Sequence, residues 1–244
     1  MEAEETTAVP LRSRPLVVAA LVTIVVAALS WLLPQSWRAT AVGLGFLAAT
    51  WLLVLRGDDE KVARHGLSLG GIFEPSPLDV RRVARDTAIA LGWAALVSAI
   101  VFPPFVIAFP IYNRIAIGHA LTWGHAHFAL RSTADEVLGQ LLVIALSEEA
   151  FYRGYLQTAL DAKWPPSWKV LGARIGPSLL VTSAIFAVGH VLTDPRPARL
   201  AVFFPSLLFG WLRARTGGIG ASLTFHAACN VLAETLARGY GLVR

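Results

Sequence analysis

The chain has 244 residues, of which 55% are apolar and 15% charged, and its mean hydropathy is +0.60. A soluble domain carries about 25% charged residues, so the composition argues against a soluble enzyme. The net charge of +5 comes from 21 basic and 16 acidic residues with no clustered basic face, which argues against a nucleic-acid partner; the single cysteine, Cys229, excludes an intrachain disulfide.

A membrane-crossing helix needs about 20 mostly apolar residues, and the apolar runs hold six or seven. The start is acidic (Glu2, Glu4, Glu5). The first run, about Leu16–Leu33, is longer than the core of a cleaved signal peptide, so it is expected to stay as an anchor. Span two is about Ala39–Leu55. A polar stretch follows from Arg56 to Arg85. Span three is about Ala88–Pro110, with a kink or break expected at Pro103-Pro104. Ile111–Glu136 is less apolar and reads as an interfacial or re-entrant piece. Span four is about Val137–Leu160, and a connector with Lys163, Lys169 and Arg174 follows. Span five is about Ile175–Leu192, then a turn at Asp194-Pro195-Arg196-Pro197. Span six is about Leu200–Leu212, and span seven about Ile219–Leu236. The expected fold is all-α: a polytopic membrane helical bundle of about seven transmembrane helices. It divides into a tail at 1–15, helices at 16–110 with a polar loop at 56–87, an interfacial segment at 111–136, and a core at 137–237.

Basic residues near span ends mark cytoplasmic loops. Arg12 and Arg14, the loop between spans two and three, Lys163, Lys169 and Arg174, and Arg213 with Arg215 form the richer set. The N-terminus is therefore expected inside and the C-terminus outside.

The chemistry should lie where ionisable groups interrupt the spans. A charge at the bilayer centre costs at least about 2.5–3.5 kcal/mol, so such a residue needs a partner or a task. They are Glu148, Glu149 and Arg153 in span four, His190 in span five, and His226 in span seven, with Glu234 nearer an end. Glu149 and Arg153, at i,i+4, can pair along one helical face. Glu148 lacks that partner and shares its face with Tyr152 and Tyr155. One carboxylate would be held ionised and the other left to take and give a proton. The competing reading is a charge cluster that staples helices together. His226 and Asn230 share a face, and Asn230 could orient the histidine or donate to an oxyanion; the competing reading is an interhelical clasp. Two His and a carboxylate could also hold zinc. The HExxH pattern is absent, and metal-assisted and metal-free mechanisms both stay open. His190 lies near the outer end of its span and Glu148 mid-span, so a shared site requires span five to run further or a helix to tilt.

Glu148-Glu149-x-x-x-Arg153, Phe186-x-x-x-His190 and His226-x-x-x-Asn230 together resemble the CPBP family of intramembrane proteases, which contains the CAAX prenyl endopeptidases. The resemblance runs over about spans four to seven, and the stretch Ser206–Asn230 looks most like the myxosortase-type bacterial branch. It implies that the 137–237 core is catalytic: an intramembrane endopeptidase with Glu148 activating water, His190, His226 and Asn230 lining the site, and Glu149 and Arg153 supporting it. Zinc, if used, would fall to His190, His226 and Glu148; the cofactor is zinc or none. The implied partners are the lipid bilayer and a membrane protein substrate with a C-terminal sorting or lipidated tail. The implied location is the bacterial inner membrane. Two other readings fit the same polar groups: a proton-coupled transporter using them as a relay, for which no internal repeat is visible, and a non-catalytic scaffold.

Outside these motifs, His119, His125 and His127 read as interfacial residues beside Trp123. The eight Trp read mostly as anchors at span ends. Gly217, Gly218 and Gly220 do not follow a strand, so they read as a turn with close helix approach, and Cys229 as a small packing residue.

Overall fold

The structure, a computed structural model, describes residues 14–118 and 133–242. Helix α1 (Pro15–Leu32) starts on a proline at its first position, where no N–H is needed. Only Leu33 and Pro34 separate it from α2 (Gln35–Thr50), which a wide turn extends through Trp51–Leu55. The second span therefore begins earlier than the apolar run suggested. The pair stays close because Gly45 meets Val26; a Cβ there would sit 3.0 Å from the valine side chain.

The polar stretch after α2 folds back instead of trailing as a loop. Asp58 caps α3 (Asp59–Arg64) by accepting from Lys61 N at 2.8 Å. Val62 and Leu67 are fully buried. Leu67 lies so near Gly154 that a Cβ on that glycine would come within 2.5 Å of the leucine side chain. Asp79 caps α4 (Val80–Ile117) through Arg81 N and Arg82 N. Arg82 also grips Glu74 with two hydrogen bonds, of 2.6 and 2.8 Å.

Helix α4 has 38 residues and runs without a break through Pro103, Pro104 and Pro110, so 111–117 continue this helix; it ends on Gly118 at φ 71°. At 1.5 Å per residue it is about 57 Å long, well beyond a hydrocarbon core of about 30 Å. The remainder of the expected interfacial piece up to 132, with His119, Trp123, His125 and His127, lies outside the described residues.

Helix α5 covers residues 134–161. Thr133 opens it with a capping box: its Oγ1 accepts from Glu136 N, and the Glu136 side chain accepts from Thr133 N. Two wide-turn stretches, Gly139–Ala145 and Ala150–Gln157, flank the regular turn Leu146–Glu149. Wide turns close i→i+5 hydrogen bonds and cluster at functional sites. The connector after α5 holds a hairpin of β1 (Trp168–Val170) and β2 (Ala173–Ile175), with Trp168 opposite Ile175. Its turn residues Leu171 and Gly172 both have positive φ, as a two-residue hairpin turn requires. This hairpin is the one departure from an all-α chain among the described residues. Helix α6 (Pro177–Thr193) leads through a tight 3₁₀ segment (Pro197–Val202) to α7 (Phe203–Thr216), closed by Gly217 at φ 77°, and α8 (Gly220–Gly239) follows.

Helix α8 packs chiefly on α4, α7 and the first half of α5, while α1 packs on α2 and α6. The centre is aromatic: Phe46 lies 5.3 Å from Phe151 and from Tyr152, and Tyr152 lies 5.1 Å from Phe186, ring centre to ring centre. Leucines, isoleucines and valines on the outer faces of α1, α2 and α4 are exposed, among them Ile24, Leu44, Ile100 and Ile107.

Among the described residues three helices are long and apolar enough to cross a membrane: Pro15–Leu32, Gln35–Leu55 and Val80–Ile115. Helix α6 is apolar but shorter, and α7, with 14 residues, spans only about 21 Å. Helices α5 and α8 carry the polar groups described next, which lower their apolar content.

Candidate active site

Glu148 and Glu149 sit in the regular turn of α5, between the two wide stretches. Glu149 is fully buried and pairs with Arg153, its Oε1 3.0 Å from Nη1 of the equally buried guanidinium. Arg153 lies 4.6 Å above the Phe186 ring and 5.1 Å from the Phe209 ring. Its Nη2 donates to Ser206 Oγ at 2.7 Å and to the Ser206 carbonyl at 3.2 Å. A dry, aromatic-walled socket therefore holds one carboxylate in one position.

That carboxylate faces a histidine. His226 of α8 places Nδ1 3.0 Å from Glu149 Oε1. An ionised carboxylate only accepts hydrogen bonds, so Nδ1 carries the proton and donates. Phe209 stacks on the imidazole at 4.5 Å and 14°. His226 Nε2 lies 3.7 Å from Glu148 Oε2, beyond hydrogen-bond reach. Glu148 is mostly buried, and its Oε2 has no hydrogen-bond partner among the described residues. Arg153 pairs with Glu149 and not with Glu148, and the two carboxylates approach the same imidazole from its two nitrogens. Tyr152 lines the cavity with Glu148. Tyr155 does not, because the Ala150–Gln157 stretch takes an extra residue per turn and carries it off that face.

His190 lies in the last turn of α6. Its Nδ1 is 3.0 Å from the Phe186 carbonyl oxygen; a carbonyl can only accept, so this nitrogen too carries the proton. Both rings are thus fixed through Nδ1, which leaves Nε2 of each for the cavity. Asn230, one turn after His226, donates from Nδ2 to Gln140 Oε1 at 3.0 Å. Gln140 Nε2 reaches Glu234 at 3.4 Å, and Arg238 ties Glu234 to Glu136 with contacts of 2.5 to 3.1 Å.

A cavity of about 470 Å³ joins these groups. Glu148, His190, His226 and Asn230 all line it, with Gln140, Tyr152 and Glu234. The last turns of α6 and the middle of α8 meet the middle of α5 here, at the end of the bundle where α1 stops and α2 starts. The distance between the end of span five and the middle of span four is bridged by this cavity. Helices α1 and α2 form its other wall through Thr23, Val26, Ser30, Arg38, Val42 and Phe46. Gly43 makes that wall close: a Cβ there would lie 2.5 Å from the Val143 carbonyl oxygen.

Among the described residues no group of three or more His, Cys, Asp or Glu side chains is placed to hold a metal ion. His190, His226 and Glu148 line one cavity without forming such a set. Gln140 and Ser206 went unnoticed in the sequence. A single Gln or Ser in an apolar run carries little signal, although Glu234, Gln140's neighbour, stands out as an ionisable residue near the end of span seven.

Residues 131–232 match the family model described as type II CAAX prenyl endopeptidase Rce1-like. The match supports assigning this segment to the CAAX protease family. It contains Glu148, Glu149, Arg153, His190, His226 and Asn230, and it excludes α1 to α4. No curated protein and no solved structure matches the chain. The family and the apolar helices together support an integral membrane protease acting on a membrane-associated protein.

Proposed function

We propose that the protein is an intramembrane endopeptidase in which Glu148 is the general base. The convergence of Glu148, His190, His226 and Asn230 on one cavity carries this reading. A water held between Glu148 and the histidines gives a proton to the carboxylate as its oxygen attacks the scissile carbonyl carbon. The carbonyl oxygen becomes an oxyanion. Asn230 spends one amide hydrogen on Gln140 and keeps the other for that oxyanion. Glu148 then returns its proton to the leaving amine as the C–N bond breaks. His190 and His226 position the water and substrate through Nε2. Glu149 and Arg153 touch no reacting atom; they fix the tautomer and tilt of His226, as outer carboxylates do for functional histidines elsewhere.

The substrate in this reading is a membrane-anchored protein with a sorting or lipidated tail, cut from the side of the membrane to which α1 exits. That side is outside, and the membrane is the bacterial inner membrane. In this reading the spans are α1, α2 and α4 to α8, with α6 and α7 the short ones. Neither the relay nor the scaffold reading has an observation in its favour here.

The test compares wild-type cells, cells lacking the gene, and deletion cells carrying Glu148→Gln, with mass spectrometry of all membrane and surface protein termini. A small set of proteins should keep unprocessed tails in both defective strains. Normal processing by Glu148→Gln at normal expression would remove Glu148 as the base.

A further inference from the structure

Two arginines line the cavity on the wall away from α8, and neither is used by the chemistry above. Arg38 lies in the first turn of α2, and Arg199 in the 3₁₀ segment before α7. The helices that precede these two segments are tied together: Trp31 Nε1 at the end of α1 donates to the Leu192 carbonyl at the end of α6, at 2.8 Å. Tyr112 of α4 holds the second segment by donating to the Ala198 carbonyl at 2.7 Å. Both guanidiniums are therefore carried by one braced rim.

Their charges are poorly matched within the protein. Arg38 donates only to the Leu33 carbonyl, at 3.1 Å, and forms no ion pair among the described residues. Arg199 has one carboxylate in range, Asp194, at 3.5 Å from its Nε, and that nitrogen is buried without a hydrogen bond. Asp194 is already engaged by Arg196 through Nε at 2.8 Å and through Nη2. Of the acids that line the cavity, Glu234 is bound by Arg238 and Glu148 lies at the floor. The rim thus holds two cations against one shared anion, beside a cavity large enough for a short peptide segment.

We infer that Arg38 and Arg199 form an anion subsite that takes a carboxylate of the substrate chain and so sets where the chain lies over Glu148. Planar guanidiniums suit carboxylates because they donate two parallel hydrogen bonds. The inference rests on the endopeptidase reading for the identity of the chain, and it goes beyond the matched family segment, because Arg38 lies outside residues 131–232.

The test uses the full chain carrying Glu148→Gln, to prevent turnover, in phosphatidylcholine nanodiscs. The probes are dansylated ten-residue peptides of mixed uncharged sequence in three forms: with a free C-terminal carboxylate, amidated, and amidated with one internal Glu. Binding is read by fluorescence anisotropy. One of the two acidic forms should bind about tenfold more tightly than the uncharged amide, the usual worth of a charged hydrogen bond. The form that does so identifies a terminal or a side-chain carboxylate. Arg38→Gln is exposed and leaves the fold intact, and it should shrink the gap; Arg38→Gln with Arg199→Gln should abolish it. Equal binding of all three forms, or a gap that Arg38→Gln leaves undiminished, overturns the subsite. So does a loss seen only as weaker binding to nanodiscs containing phosphatidylglycerol, which would make the arginines headgroup contacts. If arginine-dependent binding is found but the protein with Glu148 restored leaves intact a membrane tail that stays unprocessed in the deletion strain, the subsite stands and the endopeptidase reading fails.

Discussion

At the scale of single residues, two adjacent carboxylates do different work because their neighbours differ. Glu149 sits fully buried in a socket with Arg153, Ser206 and His226, whereas Glu148 faces the cavity with an oxygen that no side chain among the described residues bonds. Removing one partner of a buried pair leaves an uncompensated charge and costs about 3–5 kcal/mol. Glu149→Gln should therefore lower stability by about that amount, measured by unfolding in mixed micelles. Glu148→Gln breaks no such pair and should stay within about 1 kcal/mol of wild type, while abolishing cleavage. Equal destabilisation by both would mean that the two carboxylates form one structural cluster, as the scaffold reading holds.

At the scale of elements, the cavity depends on how closely α2 approaches α5. The contact at Gly43 is against backbone, the Val143 carbonyl oxygen at 2.5 Å from a Cβ position, so nothing can give way without shifting a helix. Overpacking of this kind costs about 1–3 kcal/mol. Gly43→Ala should lose that much stability and also weaken peptide binding, because α2 is a cavity wall. The nearest atoms that Gly154→Ala meets belong to the Leu67 side chain and not to backbone, and its stability loss in the same assay should be smaller. The helix positions were legible in the sequence because long apolar runs have few alternatives. The site residues were legible because ionisable groups are costly inside such runs. Other features left no pattern to read. The wide turns of α5 have no residue signature. Leu171-Gly172 is not one of the usual hairpin pairs. The charges of 56–85 concealed Val62 and Leu67, which pin that stretch to the bundle. Gln140 and Arg38 reach the site through packing of distant helices, which spacing along one helix cannot show.

At the scale of the whole molecule, the rim of the cavity is held by charge and the interior by aromatic packing, so the two should respond differently to acid. The hydrogen bonds from Arg196 hold Asp194 below its usual range, and those from Arg238 do the same for Glu136, with Thr133 N adding to it. A carboxylate with a depressed pKa stabilises the fold fully above its unfolded value, near 4, and loses that contribution as pH falls through its folded value. These pairs should thus add no slope to stability between pH 5 and 8, and melting of the full chain in nanodiscs should begin to fall below about pH 4. Arg238→Ala should remove the part of that acid transition owed to Glu136; an unchanged acid limb would show that the pair is not coupled to folding.

The central claim is that Glu148 activates water for peptide-bond cleavage inside this bundle. The most direct measurement takes one tail found unprocessed in the deletion strain and incubates it, in lipid nanodiscs, with purified full-length protein in H₂¹⁸O. Wild type should yield a new C-terminal carboxylate carrying one ¹⁸O atom at a single bond, and Glu148→Gln should yield none. Cleavage by Glu148→Gln at the wild-type rate would contradict the account, as would an intact tail in the presence of correctly folded wild-type protein.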